Sequence, residues 1–170
     1  MSTGIVSDPT LERWLRPGTA LPDLVASSAT EVLEELAQSV VRALPRVSAA
    51  AIRGGFLERE ALGTTAIGGG FAIPHCRLPG ISGLYLGVAR HPQGVDFGAL
   101  DGEAVKVFFA LVAPQSGASA HLEALRAIAR FLRDPRRREL LLEARGTEEL
   151  VQLLQGAPAR DPRSGVTADV

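Results

Sequence analysis

A chain of 170 residues, 46% hydrophobic and 22% charged, has the composition of one ordinary globular domain, which at this length buries roughly 70% of its unfolded surface. Eighteen Lys and Arg against 19 Asp and Glu leave a net charge of −1, too small to draw the chain to nucleic acid or an anionic membrane, so a basic site must be local. The lone cysteine, Cys76, excludes a disulfide framework and a Cys-rich zinc site and suits a reducing cytoplasm. No stretch approaches the ~18 apolar residues of a membrane span, and Met1–Pro9 has no export signal.

In chain order, residues 1–8 read as a flexible N-terminus and 9–155 as the folded domain. Ser28 and Glu31 have capping-box spacing ahead of Val32, Leu33, Leu36, Val40 and Val41, which predicts an amphipathic helix ending near Pro45. A second helix is expected from Ser48 to about Leu62, with Gly63 as a left-handed cap. Gly68, Gly69 and Gly70 lead into Phe71-Ala72-Ile73, a short strand stopped by Pro74, with His75 just beyond the stop. Leu84–Ala89 and Val105–Ala113 read as strands, the second apolar enough to be covered on both faces, and Asp101-Gly102 between them is a turn signal. Ser119 is the expected N-cap of a helix through Leu122, Leu125, Ile128 and Leu132, which puts His121 in a first turn whose free N–H groups favour an anion. Asp134-Pro135 and Thr147-Glu148-Glu149 start two further helices, and from Gly156 a Pro-, Gly- and Ser-containing stretch without periodicity reads as a disordered tail. Helices, then strands, then helices predict an α/β fold in layers rather than regular βαβ alternation.

Three histidines are candidates for chemistry. A neutral imidazole is a nucleophile, and its charge state is poised near physiological pH, which suits it to accept and release a phosphoryl group. His75 follows a backbone fixed by Pro74 and has Arg77 two residues on. Each candidate also has an ordinary reading: His75 as a surface residue, His121 as a polar cap, His91 as an exposed loop residue, Arg59 as a solvated helix charge. Spacing alone does not choose.

The run Arg59-Glu60-Ala61-Leu62-Gly63-Thr64-Thr65-Ala66-Ile67-Gly68-Gly69-Gly70-Phe71-Ala72-Ile73-Pro74-His75 resembles the active-site signature of enzyme IIA domains of the fructose/mannitol/nitrogen class in the sugar phosphotransferase system. Downstream, Val95-Asp96-Phe97, Leu100-Asp101-Gly102, the run Val105–Pro114 and His121-Leu122 with Leu125, Ile128 and Ala129 are similar to that family in order and spacing, so the resemblance covers about Leu11 to Leu154. It implies a central mixed β-sheet flanked by helices on both sides. It also implies a phosphohistidine carrier in which Nε2 of His75 takes a phosphoryl group from an HPr-like protein, with His121 as second active-site histidine and Arg59 as active-site arginine. Arg77 matches a commonly basic or polar position and is a further candidate neighbour of the phosphoryl group. The implied partners are an HPr-like phosphocarrier and either a IIB domain or regulated target proteins, without nucleic acid or membrane insertion. No cofactor or metal is implied, because the donor brings the activated phosphate. A chain with no attached IIB, IIC or HPr-like module favours the regulatory, nitrogen-type role over a sugar-transport component.

Two departures stand out: Cys76 occupies a position that is usually glycine, and Gly69 one that is often asparagine. A buried, inert Cys76 is the expectation. Rival readings are weaker. Adjacent residues on an extended segment point apart, so His75 is badly placed as base for a Cys76 nucleophile. The three histidines match no common zinc spacing, and no Lys-Ser/Thr follows the glycines as a phosphate-binding loop requires. Arg133, Arg136, Arg137 and Arg138 read as a solvated cluster. A non-catalytic binding module that kept the fold but lost the chemistry would not need Arg59, His75 and His121 together.

Overall fold

The computed structural model describes residues 9–156, so the readings of 1–8 as a flexible N-terminus and of 156–170 as a tail lie, Gly156 apart, outside the described residues. Within them the order is α1 (Pro9–Glu12), α2 (Ala29–Val40), α3 (Ala49–Ala61), β1 (Ala66–Gly68), β2 (Phe71–Ala72), β3 (His75–Leu78), β4 (Tyr85–Val95), β5 (Val105–Pro114), α4 (Ala118–Phe131), α5 (Pro135–Glu143) and α6 (Thr147–Leu154). The expected sequence of helices, strands and helices is the one observed. None of these helices is long and apolar enough to cross a membrane.

The sheet is mixed and built around β5. On one side β4 runs antiparallel to it, with Leu86 opposite Leu111 and Val88 opposite Phe109. On the other side β2 and then β3 run parallel to it, with Phe71 opposite Val107 and His75 opposite Leu111. Pro74, which has no N–H to donate, separates these two pieces, although its carbonyl still accepts from the Leu111 N–H at 2.9 Å. His75 therefore opens a strand of its own rather than lying in a turn beyond one. β1, which the apolar pattern did not predict, pairs antiparallel with β2 across Gly69-Gly70. Both glycines have positive φ, 67° and 92°, as a tight hairpin of this hand requires. Asp101 holds that hairpin by accepting the Gly69 N–H at 2.8 Å, and its second oxygen takes the Glu103 N–H at 3.0 Å.

The continuous apolar run of β5 is explained by burial on both faces. Phe108, Ala110 and Val112 pack with Leu33, Leu36, Ile52 and Phe56 of α2 and α3. The alternate residues Val107, Phe109 and Leu111 pack with Ile128, Phe131, Leu141 and Leu150 of α4, α5 and α6. The outer edge of β4 is covered by the extended chain before α2: Val88 N–H donates to Thr19 O at 2.7 Å and Leu21 N–H to Val88 O at 2.9 Å.

Local chemistry sets three of the helix starts. Ser28 Oγ accepts the Glu31 N–H at 3.2 Å, and Glu31 reaches back one residue further than a standard capping box, accepting from Ser27 N–H and Ser27 Oγ at 2.7 and 2.8 Å. Those bonds, the Ser27 N–H foremost, hold the Glu31 carboxyl below its usual range. Ser28→Ala is expected to cost about 1 kcal/mol, read as a lower urea midpoint at unchanged slope. Ser48 caps α3 through the Ala51 N–H, and Asp134 caps α5 through the Arg136 N–H.

Four boundaries differ from expectation. α2 stops at Val40 and continues in turns toward Pro45. α4 is capped by Gly117, two residues before Ser119, and α6 by Gly146, with Thr147 as its first helical residue. β4 runs through to Val95, with its ladder to β5 shifting register between Arg90 and Val95. His91 is consequently buried, 6% exposed, and not an exposed loop residue; its Nε2–H donates to Ala26 O at 2.7 Å. Two members of the arginine cluster have partners on α5 and on the neighbouring α4: Arg136 pairs with Glu139 at 2.7 Å, and Arg137 lies over the Phe131 ring of α4 at 4.6 Å.

Candidate active site

The C-terminal turn of α3, the start of β3 and the start of α4 meet at an open cleft of about 800 Å³. Arg59, His75, Arg77 and His121 all line it, so the residues singled out from the sequence as one site are neighbours in space. His75 is partly buried. Its Nδ1 lies 2.6 Å from Ile73 O, and a carbonyl can only accept, so Nδ1 carries the hydrogen. That leaves the Nε2 lone pair free, and it accepts a hydrogen bond from Arg59 Nε at 3.0 Å. Arg59 is itself held by Nη1 donating to Gly63 O at 2.9 Å.

The His121 ring centroid lies 5.2 Å from that of His75, with the planes tilted by 58°. Its backbone N–H is used by Gly117 O at 3.0 Å, so the free donors of the α4 end belong to residues 118–120, before His121 rather than on it. His121 Nε2 is buried without a hydrogen-bond partner. Arg77 Nη1 donates to Gln115 O at 3.3 Å. Leu62, 85% exposed, and Leu122, 47% exposed, form an apolar rim.

Burial and the neighbouring charges disfavour the protonated form of both rings. Burial is the main cause that lowers the His75 pKa; the Ile73 hydrogen bond works against it, Arg59 adds to it and Glu60 opposes it. His121 is pushed down to about 4, by burial first and then by His75 and Arg77. A histidine depressed in the folded state binds fewer protons than in the unfolded chain, so its contribution to stability is intact above about pH 6.5 and is lost as the pH falls toward about 4. His121→Asn is expected to flatten the pH dependence of unfolding free energy between those limits, measured by urea titration at stepped pH. His91 does not line the cleft, so the three histidines are not gathered at one point.

The family model for the EIIA 2 component of the phosphoenolpyruvate-dependent sugar phosphotransferase system matches residues 15–157. The chain belongs to this family. The nitrogen regulatory protein of Pseudomonas aeruginosa is 40% identical over 144 residues, covering 85% of this chain and 94% of that protein. The fructose-specific EIIA component of Haloferax volcanii is 34% identical over 133 residues, 78% of this chain and 84% of that protein. The crystal structure of the nitrogen regulatory protein IIA-Ntr from Neisseria meningitidis has 30% identity and a TM-score of 0.76, covering 84% of this chain and 97% of that one.

In this EIIA domain the unusual Cys76 has a structural counterpart. It is buried under α3 at Gly55, where an added Cβ would sit 2.9 Å from both Cys76 Cβ and Sγ. Burial pushes its thiol up to about 12, which disfavours the thiolate that a nucleophilic cysteine needs. Three features of the site escaped the sequence reading: the Ile73 carbonyl that fixes the His75 ring, the Gly63 carbonyl that fixes Arg59, and Glu60. Backbone carbonyls leave no mark in a sequence. Glu60 had one, since an acid in the last turn of a helix opposes the helix dipole and asks for a local partner.

Proposed function

We propose that this EIIA domain, carried by residues 9–155, is a cytoplasmic phosphohistidine carrier that accepts phosphate from an HPr-like protein on Nε2 of His75 and serves mainly as a regulatory phosphoprotein. The observation that carries this reading is the fixed tautomer: Nδ1–H is committed to Ile73 O, so the lone pair of Nε2 faces the cleft beside a guanidinium. In the transfer, that lone pair forms a bond to phosphorus while the phosphorus–nitrogen bond of the donor's phosphohistidine breaks and its electron pair returns to the donor imidazole. The incoming group adds roughly −1.5 to −2 of charge. Arg59 moves its donors from Nε2 to the phosphoryl oxygens, the start of α4 borders the same cleft at Ala118, and Arg77 and the unpartnered His121 Nε2 complete the surroundings. No cofactor enters the step.

The 40% identity to a nitrogen regulatory protein supports the regulatory role. The 34% identity to a fructose-specific EIIA component supports a second reading, transfer onward to a IIB domain. Incubation with phosphoenolpyruvate, enzyme I and an HPr-like carrier is expected to place one acid-labile phosphate per chain. If none appears with a cognate carrier, the phosphocarrier reading fails. Efficient passage of that phosphate to a IIB domain and a sugar would replace the regulatory reading with the transport one.

A further inference from the structure

A line of hydrogen bonds leads from the back of the His75 ring to α3. Ile73 O, which takes His75 Nδ1–H at 2.6 Å, belongs to a residue whose N–H donates to Thr65 O at 3.0 Å. Thr65 is buried, 4% exposed, and spends both of its donors on one carboxylate: its N–H on Glu60 Oε1 at 2.9 Å and its hydroxyl on Glu60 Oε2 at 2.6 Å. Glu60 adjoins Arg59, and the loop that its bonds to Thr65 close contains Gly63, whose carbonyl holds Arg59 Nη1 at 2.9 Å. One carboxylate thus fixes the two backbone carbonyls that orient the candidate nucleophile and its cation.

Glu60 sits next to the last residue of α3, where a negative charge opposes the helix dipole, so the local helix does not account for it. The bonds to Thr65 do. We propose that Glu60 is a positioning residue: through Thr65 and the Ile73 carbonyl it holds His75 in the Nδ1–H tautomer, and through the closed loop 60–65 it keeps Arg59 on Nε2. Without that restraint a neutral imidazole exchanges between its two tautomers, and the one protonated at Nε2 has no lone pair there to attack phosphorus. The charge of Glu60 also opposes the effect of Arg59 on the basicity of His75. The consequence for rate rests on the phosphocarrier reading; the consequence for the tautomer does not.

The test is nitrogen NMR of the His75 ring in the unphosphorylated full chain, joined to the rate of phosphate uptake from an HPr-like donor. The unmutated protein and Thr65→Ser are expected to show a single Nδ1–H tautomer. Glu60→Ala and Thr65→Val are expected to show a mixture and to take up phosphate about tenfold or more slowly, at little changed KM for the donor. Glu60→Gln, which can still accept from the Thr65 N–H and also hydrogen-bond the Thr65 hydroxyl through its amide nitrogen, a contact that Thr65→Val removes, is expected to keep the tautomer while the ring titrates at lower pH. If Glu60→Ala does not fold, Thr65→Val decides alone. A wild-type ring spectrum in these variants overturns the role of Glu60, whatever the rates. An unmutated protein that takes no phosphate instead overturns the phosphocarrier reading, and the ring spectrum still judges Glu60.

Discussion

Alanine at His75 is expected to abolish acid-labile phosphate on the protein, and alanine at Arg59 to slow its appearance by about 10²–10³, the usual effect of removing one preorganised donor from a developing negative charge. Two effects act together in the second variant. Arg59 Nε is 3.0 Å from the nitrogen proposed to receive phosphorus, so its loss would remove a cation beside the transferred group. Arg59 also lowers the His75 pKa, so its loss raises that pKa and leaves more of the ring protonated, without a lone pair, as the pH falls below neutrality. The rate deficit of Arg59→Ala is therefore expected to widen from pH 8 to pH 6. Arg59→Lys should recover only part of the rate, because an ammonium lacks the planar fork that can hold Gly63 O and two phosphoryl oxygens. Rapid-quench measurement of phosphate uptake across that pH range decides it, and a pH-independent deficit would separate Arg59 from the titration of His75.

Gly55→Ala is expected to destabilise the domain, contrary to the usual gain of about 0.8–1 kcal/mol for alanine over glycine inside a helix. The new Cβ would lie 2.9 Å from Cys76 Cβ and Sγ and 3.2 Å from a Leu78 methyl, and Cβ is tied to the β3 backbone, so α3 or β3 must shift. Overpacking of this kind costs about 1–3 kcal/mol, which outweighs the helical gain. The displacement also acts on the site, since Gly55 and Arg59 are one turn apart on α3 and His75 and Cys76 are consecutive on β3. Cys76→Gly in the same chain removes the obstructing atoms. A double-mutant cycle by urea unfolding should give a favourable coupling of about 1 kcal/mol or more, with phosphate uptake recovering in parallel. Additive single effects would show that Gly55 and Cys76 do not share this space.

The sequence was most legible where a local rule and the core agreed. Ser28, Ser48 and Asp134 announce their helices because each side chain satisfies an orphan N–H of the following turn, and those caps are present. The β5 run announced a strand buried on both faces because alternate residues feed two cores. His91 misled for the opposite reason: with Pro92 next to it, it reads as loop, yet Ala26 O, 65 positions away in sequence, supplies the hydrogen bond that lets it sit inside. Ser119 and Thr147 are good N-cap residues that were passed over for Gly117 and Gly146, so propensity chose the right neighbourhood and tertiary packing the residue. Of the candidate site, Arg59, His75, Arg77 and His121 were singled out through their family register, and all four line one cleft. The carbonyls of Ile73 and Gly63 became visible only with the backbone in place.

Because His75 begins a strand hydrogen-bonded to the central β5, it is carried by the sheet and not by a loop. A phosphoryl group bound there cannot swing toward an acceptor. Under the proposed carrier role, every exchange is then a whole-body encounter in which the partner's reactive atom is brought to a fixed point. Turnover should follow collision frequency and the alignment of two surfaces, with the exposed Leu62 and Leu122 as the ground on which they register.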